Sequence, residues 1–250
     1  MAITANPDAR ILVVCVDEAA VTGATIFNPN SWSGVSKGIV QSCWTEYSVL
    51  HHCVSQMTGT CEEAERLCQK HFATIQQQWC ASKFDLGKVV IYGQVPDLHM
   101  QIEAFFSGVK TLLDLLVQLL SSEKIVSCVV DGFHRTQDVY GGKALNALEN
   151  NVPNTRKDVA GKARALISEH KASWIDQAIS ARDQLIHPEK GMHQLMFRLD
   201  FAEKANSLVC VKVHAPEIGS ETIDQYAPQV LKHVHEFSSS FIGLLKDVRM

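Results

Sequence analysis

The chain has 250 residues, 46% of them hydrophobic and 20% charged, which excludes a disordered or collagenous protein. That length fits one large domain or two small ones, with ample material for a core. A formal net charge of -4 argues against a broad basic surface that wraps nucleic acid, so any RNA would be gripped at a small local site.

The eight cysteines (Cys15, Cys43, Cys53, Cys61, Cys68, Cys80, Cys128 and Cys210) contain no Cys-x-x-Cys pair. A disulfide framework is a device of small secreted domains, and this chain is not small. Its first residues, Met1 to Arg10, are polar, and the Ile11–Val16 run is too short for a signal core or a membrane span. Reduced thiols in a cytoplasm are expected, most of them acting as small core hydrophobes on helices.

In chain order, Ile11–Val16 reads as a short buried strand or as the start of a helix. Asn28-Pro29-Asn30-Ser31 with Gly34 marks a loop. The pattern is helical from Lys37 to about Met57, and Thr58-Gly59 is expected to interrupt it. Thr60-Cys61-Glu62-Glu63 has capping-box form and predicts a second helix to about Ser82. Phe84 to Asp97 holds Gly87, Gly93 and Pro96 and reads as a connector, with a short strand at Val89-Val90-Ile91-Tyr92.

Leu98 to Ser122 is the strongest core helix, with Leu112, Leu115, Leu116, Leu119 and Leu120 at helical spacing. A shorter helix follows Gly141-Gly142 through Leu145 and Leu148. Thr155 then opens a long helix that carries Trp174 and ends at His187, because Pro188 disfavours helix at the residue before it. After Gly191 the period changes, and Leu195–Phe201 and Leu208–Val213 predict two paired strands. A last helix runs from about Glu221 to Lys246, with Pro228 in its first turn or splitting it. The predicted fold is mainly α, a helical bundle with a small β-hairpin inserted before the last helix. Residues 1–95 are read as an N-terminal helical arm and residues 96–250 as the main bundle.

Chemistry concentrates in Arg182-Asp183-Gln184-Leu185-Ile186-His187. An arginine can hold a phosphate and a histidine can move a proton near neutral pH, so the pair has the parts for RNA cleavage without a metal. Residues five apart on a helix are separated by about 140° and about 7.5 Å, so Arg182 and His187 bracket a bound group rather than stack. Asp183 and His187 are four apart and share a face, which lets Asp183 orient the imidazole. The alternative is that both basic residues simply cap a helix C-terminus, with Arg182 and Asp183 as a solvated pair.

This motif resembles the one that defines the HEPN superfamily of helical RNases and toxin-like proteins: Arg, a polar residue, three variable residues and His. The surrounding order is similar too, from Phe105–Leu120 through Gly141-Gly142-Lys143 and Trp174–His187 to Ile223–Leu245. The resemblance covers a little over half the chain and leaves residues 1–95 without a counterpart. It implies a homodimer in which two motifs form one cleft, with Arg182 neutralising phosphate and His187 assisting attack of the 2′-hydroxyl. By the same analogy, a toxin or defence setting with an antitoxin-like protein partner is expected, as are members that only bind nucleotide, RNA or a partner.

Gly141-Gly142-Lys143 resembles a phosphate cradle but lacks P-loop spacing, so a turn before a helix is expected. Lys143, Lys157, Arg164 and Lys171 are the candidate substrate-binding cations, with Lys157, Arg164 and Lys171 on one helical side. That side is either a solvated face or a strip that steers RNA. His51-His52-Cys53 lacks paired ligand spacing, so neither a metal site nor a cofactor is expected.

Overall fold

The computed structural model describes residues 2–6, 11–15, 18–79, 91–136, 139–186, 196–204 and 207–247. His187, Pro188, Gly191, Val89 and Val90, on which several expectations above rest, lie outside them. The chain is mainly α-helical, with a small antiparallel hairpin before the last helix, as its periodicity predicts.

The core is organised on helix α3 (Pro96–Ser122), which starts with proline in its first turn. Leu98, Ile102, Phe105, Phe106, Val109, Leu112, Leu113, Leu116, Val117, Leu119 and Leu120 are all buried. An apolar face this broad must be covered by more than one neighbouring element. By length and composition it could cross a membrane, but most of it is buried inside the bundle, as in a core helix of a soluble protein. Helix α2 (Gly34–Trp79) lies along it, and Gly108 permits the close approach, because a Cβ there would sit 2.9 Å from Leu50 Cδ2.

Helix α2 corrects the expected break at Thr58-Gly59: the helix runs through it without interruption. Tyr47, Leu50, Cys53, Met57, Cys61 and Ala64 form one buried stripe that crosses the glycine. One interior glycine costs about 1 kcal/mol, less than the burial gained on either side of it. Thr58 donates its hydroxyl to the Val54 carbonyl at 3.2 Å, and Thr60, expected to cap a second helix, lies inside α2. Residues of the expected N-terminal arm and of the main bundle contribute to a single buried cluster. Cys43, Cys53 and Cys61 are free thiols within it, and burial pushes the Cys61 thiol up to about 12.

Of the Ile11–Val16 run, which the sequence left between two forms, the described part is extended: strand β2 (Ile11–Cys15) pairs with β1 (Ala2–Asn6), and α1 (Glu18–Ile26) follows. The hairpin of β4 (Met196–Lys204) and β5 (Ser207–His214) is present, with a register shift between Asp200 and Phe201. Strand β3 (Ile91–Gln94) adds to its β4 side, pairing antiparallel and giving the order β3-β4-β5. That pairing is long-range, so the expected connector strand could be read but its partner could not.

Helix α4 (Gly142–Asn150) begins at the Gly141 turn. The long helix that follows is α5 (Lys157–His170), one π turn (Lys171–Ile175) and α6 (Asp176–Ile186). After a short β6–β7 hairpin (Glu217–Ile218 with Glu221–Thr222), α7 (Ile223–Asp247) packs on α2, α3 and α5. Pro228 neither sits in the first turn nor splits α7, but lies one turn inside it. It removes one hydrogen bond there, and the buried face from Ile223 to Leu245 holds the helix together.

The π turn meets α7 through an aromatic lock. Trp174 Nε1–H donates to His170 Nδ1 at 2.9 Å, and the Trp174 ring lies parallel to that of His233. Burial pushes the His170 pKa below its ordinary value, with His233 adding to this and Glu169 and Glu236 opposing it. A depressed histidine is protonated first in the unfolded chain, so its contribution to stability is whole above the ordinary histidine range. It falls as pH drops through that range, and stops falling once the folded form also protonates.

Two predictions follow from this packing. Gly59→Ala, with open space around its Cβ, should stabilise by about 0.5–1 kcal/mol in urea denaturation. Gly141→Ala should destabilise, because Gly141 has φ +68° and a Cβ there would collide with the Phe133 ring. Separately, the urea midpoint should fall between about pH 7 and pH 5.5, and fall less in His170→Gln, whose amide oxygen can still accept from Trp174. An equal fall in both proteins would assign the effect elsewhere.

Candidate active site

Helix α6 carries the motif. Its buried stripe of Ala178, Ile179 and Ala181 turns one side to the core and leaves Arg182 and Asp183 at the edge of the bundle. Their side chains are 30% and 18% exposed, so this is not a solvated pair. Arg182 Nη1 donates to Asp183 Oδ1 at 3.1 Å. Arg182 Nε is buried and has no acceptor among the described residues. A buried N–H without a partner costs about 1–3 kcal/mol, a cost that an incoming anion would remove.

The second Asp183 oxygen is also engaged. Tyr140 O–H donates to Asp183 Oδ2 at 3.2 Å, from the turn that precedes α4. Burial, then the Asp183 carboxylate, pushes the Tyr140 phenol above its ordinary pKa, while Arg135 pulls it back. The Arg135 guanidinium lies over the Tyr140 ring, 5.1 Å from its centroid. Asp176 also acts on Tyr140 electrostatically, and its Oδ2 holds Lys171 Nζ at 2.5 Å. Asp176 Oδ1 is buried with no donor among the described residues.

Of the site residues expected from sequence, Arg182, Asp183 and Lys171 thus belong to one neighbourhood, the last through Asp176. His187 lies outside the described residues. Asp183 already accepts from Arg182 and Tyr140, yet a carboxylate has about four acceptor positions, which leaves room for an imidazole N–H. The other expected cations are placed elsewhere. Lys143 pairs with Asp131, Arg164 pairs with Glu149 at 3.2 Å, and Lys157 is exposed at the start of α5. A continuous basic strip is therefore interrupted by carboxylates.

Sequence reasoning missed Tyr140, Arg135 and Asp176. Tyr140 and Asp183 are 43 positions apart, and no local spacing links them. The only hint is that Tyr140 directly precedes the Gly141-Gly142 turn. A separate, partly exposed cluster was also unread: His214 Nε2 meets Asp200 Oδ2 at 2.5 Å, beside Arg198 on the sheet. On another face of α6, Gln177, Ser180, Gln184 and Leu185 line a cavity of about 490 Å³ against Glu217 and Ile218. Among the described residues, no group of three or more His, Cys, Asp or Glu could hold a metal.

Removing the shared acceptor should cost more than removing one donor. Asp183→Ala, which orphans both Arg182 and Tyr140, should destabilise by about 1–3 kcal/mol, and Tyr140→Phe by about 0.5–1.5 kcal/mol. In a double-mutant cycle by chemical denaturation, the two should be non-additive. Comparison of the chain with protein-family models, curated proteins and solved structures gives no match.

Proposed function

We propose that this protein is a metal-independent endoribonuclease of HEPN type that acts as a homodimer. The observation that carries the reading is the Arg182 guanidinium. It is held by Asp183, backed by Tyr140, and has one buried N–H without an acceptor among the described residues. Fixing such a donor before substrate arrives removes reorganisation from the reaction itself, which is how electrostatic catalysis gains its effect. Arg182 is assigned the phosphate, His187 the proton and Asp183 the orientation of His187. His187 takes the proton of the 2′-hydroxyl as its oxygen attacks phosphorus. The bond to the 5′-oxygen breaks as that oxygen takes a proton from water or from the His187 imidazolium, leaving a 2′,3′-cyclic phosphate and a 5′-hydroxyl. Lys171 supports the local potential through Asp176. A cytoplasmic setting with an antitoxin-like protein partner fits this reading.

A second reading is favoured by the charge pairing. Lys143, Arg164 and Lys171 each face a carboxylate, and the formal net charge is -4, so little basic surface is left to draw in a polyanion. In this reading the protein is a non-catalytic helical dimer that binds nucleotide, RNA or a protein partner.

Incubation of a mixed RNA pool with purified protein in EDTA separates the two. Cutting that persists in EDTA, leaves cyclic-phosphate ends and falls at least about 100-fold in His187→Ala is the expected result. A folded dimer that leaves the pool intact favours the binding module.

A further inference from the structure

Helix α6 carries a second polar face, away from Arg182 and Asp183. Gln177, Ser180, Ala181 and Gln184 recur at helical spacing, which places them along one side of the helix. With Leu185 they form one wall of a cavity of about 490 Å³. Glu217, Ile218 and Gly219, from strand β6 and the turn after it, form the other wall. The walls come close at Gly219, which has φ +67° and where a Cβ would stand 3.3 Å from Gln177 Nε2. The slot between them runs for about two helical turns, or about 10 Å.

The slot is rich in hydrogen-bond acceptors. Gln184 Nε2 donates to Ser180 Oγ at 3.4 Å, which leaves the Gln184 carbonyl oxygen as an acceptor. Among the described residues no lining side chain is basic, and Glu217 is exposed at the rim. Glu221 lies directly opposite Ile218 in the β6–β7 pair, so both side chains leave the same face of the hairpin. Its Oε2 is buried and has no donor among the described residues. Tyr226, only 6% exposed and with its hydroxyl also unpartnered among them, feels that charge: burial first, then Glu221, pushes its pKa up to about 12. A carboxylate oxygen in so poorly solvated a position projects its charge further than one in water. Helix α6 ends at Ile186, so the negative end of its dipole lies beside Gln184 and Leu185. All of these features favour a cation. The lining carboxylates form no group fit to hold a metal ion, and Ala181, Leu185 and Ile218 add an apolar surface.

We propose that this slot binds an organic cation, an alkyl chain that ends in an ammonium or guanidinium group. Its N–H groups meet Glu217 and the amide oxygens of Gln177 and Gln184, and its chain lies against Leu185 and Ile218. The buried Glu221 adds its field without touching the ligand. Such a group comes from a free diamine or from a lysine or arginine side chain of a protein partner. The site is independent of the ribonuclease reading, since it uses neither Arg182 nor His187.

The test is a titration of the full, isotope-labelled chain with putrescine and with N-acetyl-L-arginine amide, followed by NMR. Choline, a cation without N–H donors, and guanosine, a neutral ligand with them, serve as comparisons. The side-chain amides of Gln177 and Gln184 and the backbone amide of Gly219 should shift with the first two ligands and stay still with the others. Glu217→Gln, at an exposed position, should weaken binding about 10-fold, the effect of losing one charged hydrogen bond. Glu221→Gln should weaken it less and leave the same residues shifting. Tighter binding of the arginine amide assigns the slot to a protein side chain, and tighter binding of putrescine assigns it to a free diamine. No shift at these residues with either cation at millimolar concentration would overturn the proposal. So would unchanged affinity in Glu217→Gln, or equal binding of choline or guanosine.

Discussion

Helix α3 presents a broad apolar face, and water is an unfavourable neighbour for it. It must be enclosed by α2, α6 and α7, all of which contact it. Enclosure of this kind does more than stabilise. It sets which side of each covering helix turns inward, because protein interiors are packed densely and tolerate little rotation. Helix α6 docks through Ala178, Ile179 and Ala181, and that docking leaves Arg182 and Asp183 at the rim of the core. The candidate site is therefore a consequence of how α3 is covered.

A charged group at such a rim is costly unless it is paired, and the pairing found here is economical in residues. One carboxylate, Asp183, serves both an arginine and a tyrosine from a distant loop. A second, Asp176, holds Lys171 on the π turn and still presents a buried oxygen. Each satisfied contact rigidifies the next, while Arg182 Nε and Asp176 Oδ1 have no partner among the described residues. Buried polar atoms without partners are rare in folded proteins, and a ligand is one established reason to keep them. The π turn beside them points the same way, since π turns are frequent at functional sites.

The sequence was legible where a single helix or strand pair decides the outcome. The stripe of Leu112, Leu116, Leu119 and Leu120 predicts α3, the Gly141-Gly142 turn predicts α4, and the alternation after Gly191 predicts the β4–β5 hairpin. It misled at Thr58-Gly59, where local breaker chemistry lost to a buried stripe shared with another helix. It was silent at Tyr140, whose partner Asp183 lies on a different helix, and at Arg135, whose place over the Tyr140 ring depends on a two-residue bridge between Thr136 and Val139.

The amino-acid sequence by itself determined the mainly helical character, the core helix, the closing helix and the proximity of Arg182 to Asp183, because each depends on residues a few positions apart on one periodic element. Only the tertiary structure decided that α2 is one helix, that β3 joins the hairpin as a third strand, and that Lys143 and Arg164 turn to carboxylates. It alone brought Tyr140 to Asp183 and set Arg135 over the ring. The physical reason is common to all of these. Each is a contact between segments distant in the chain, whose formation depends on how α3 is enclosed and not on any pattern local to the residues concerned.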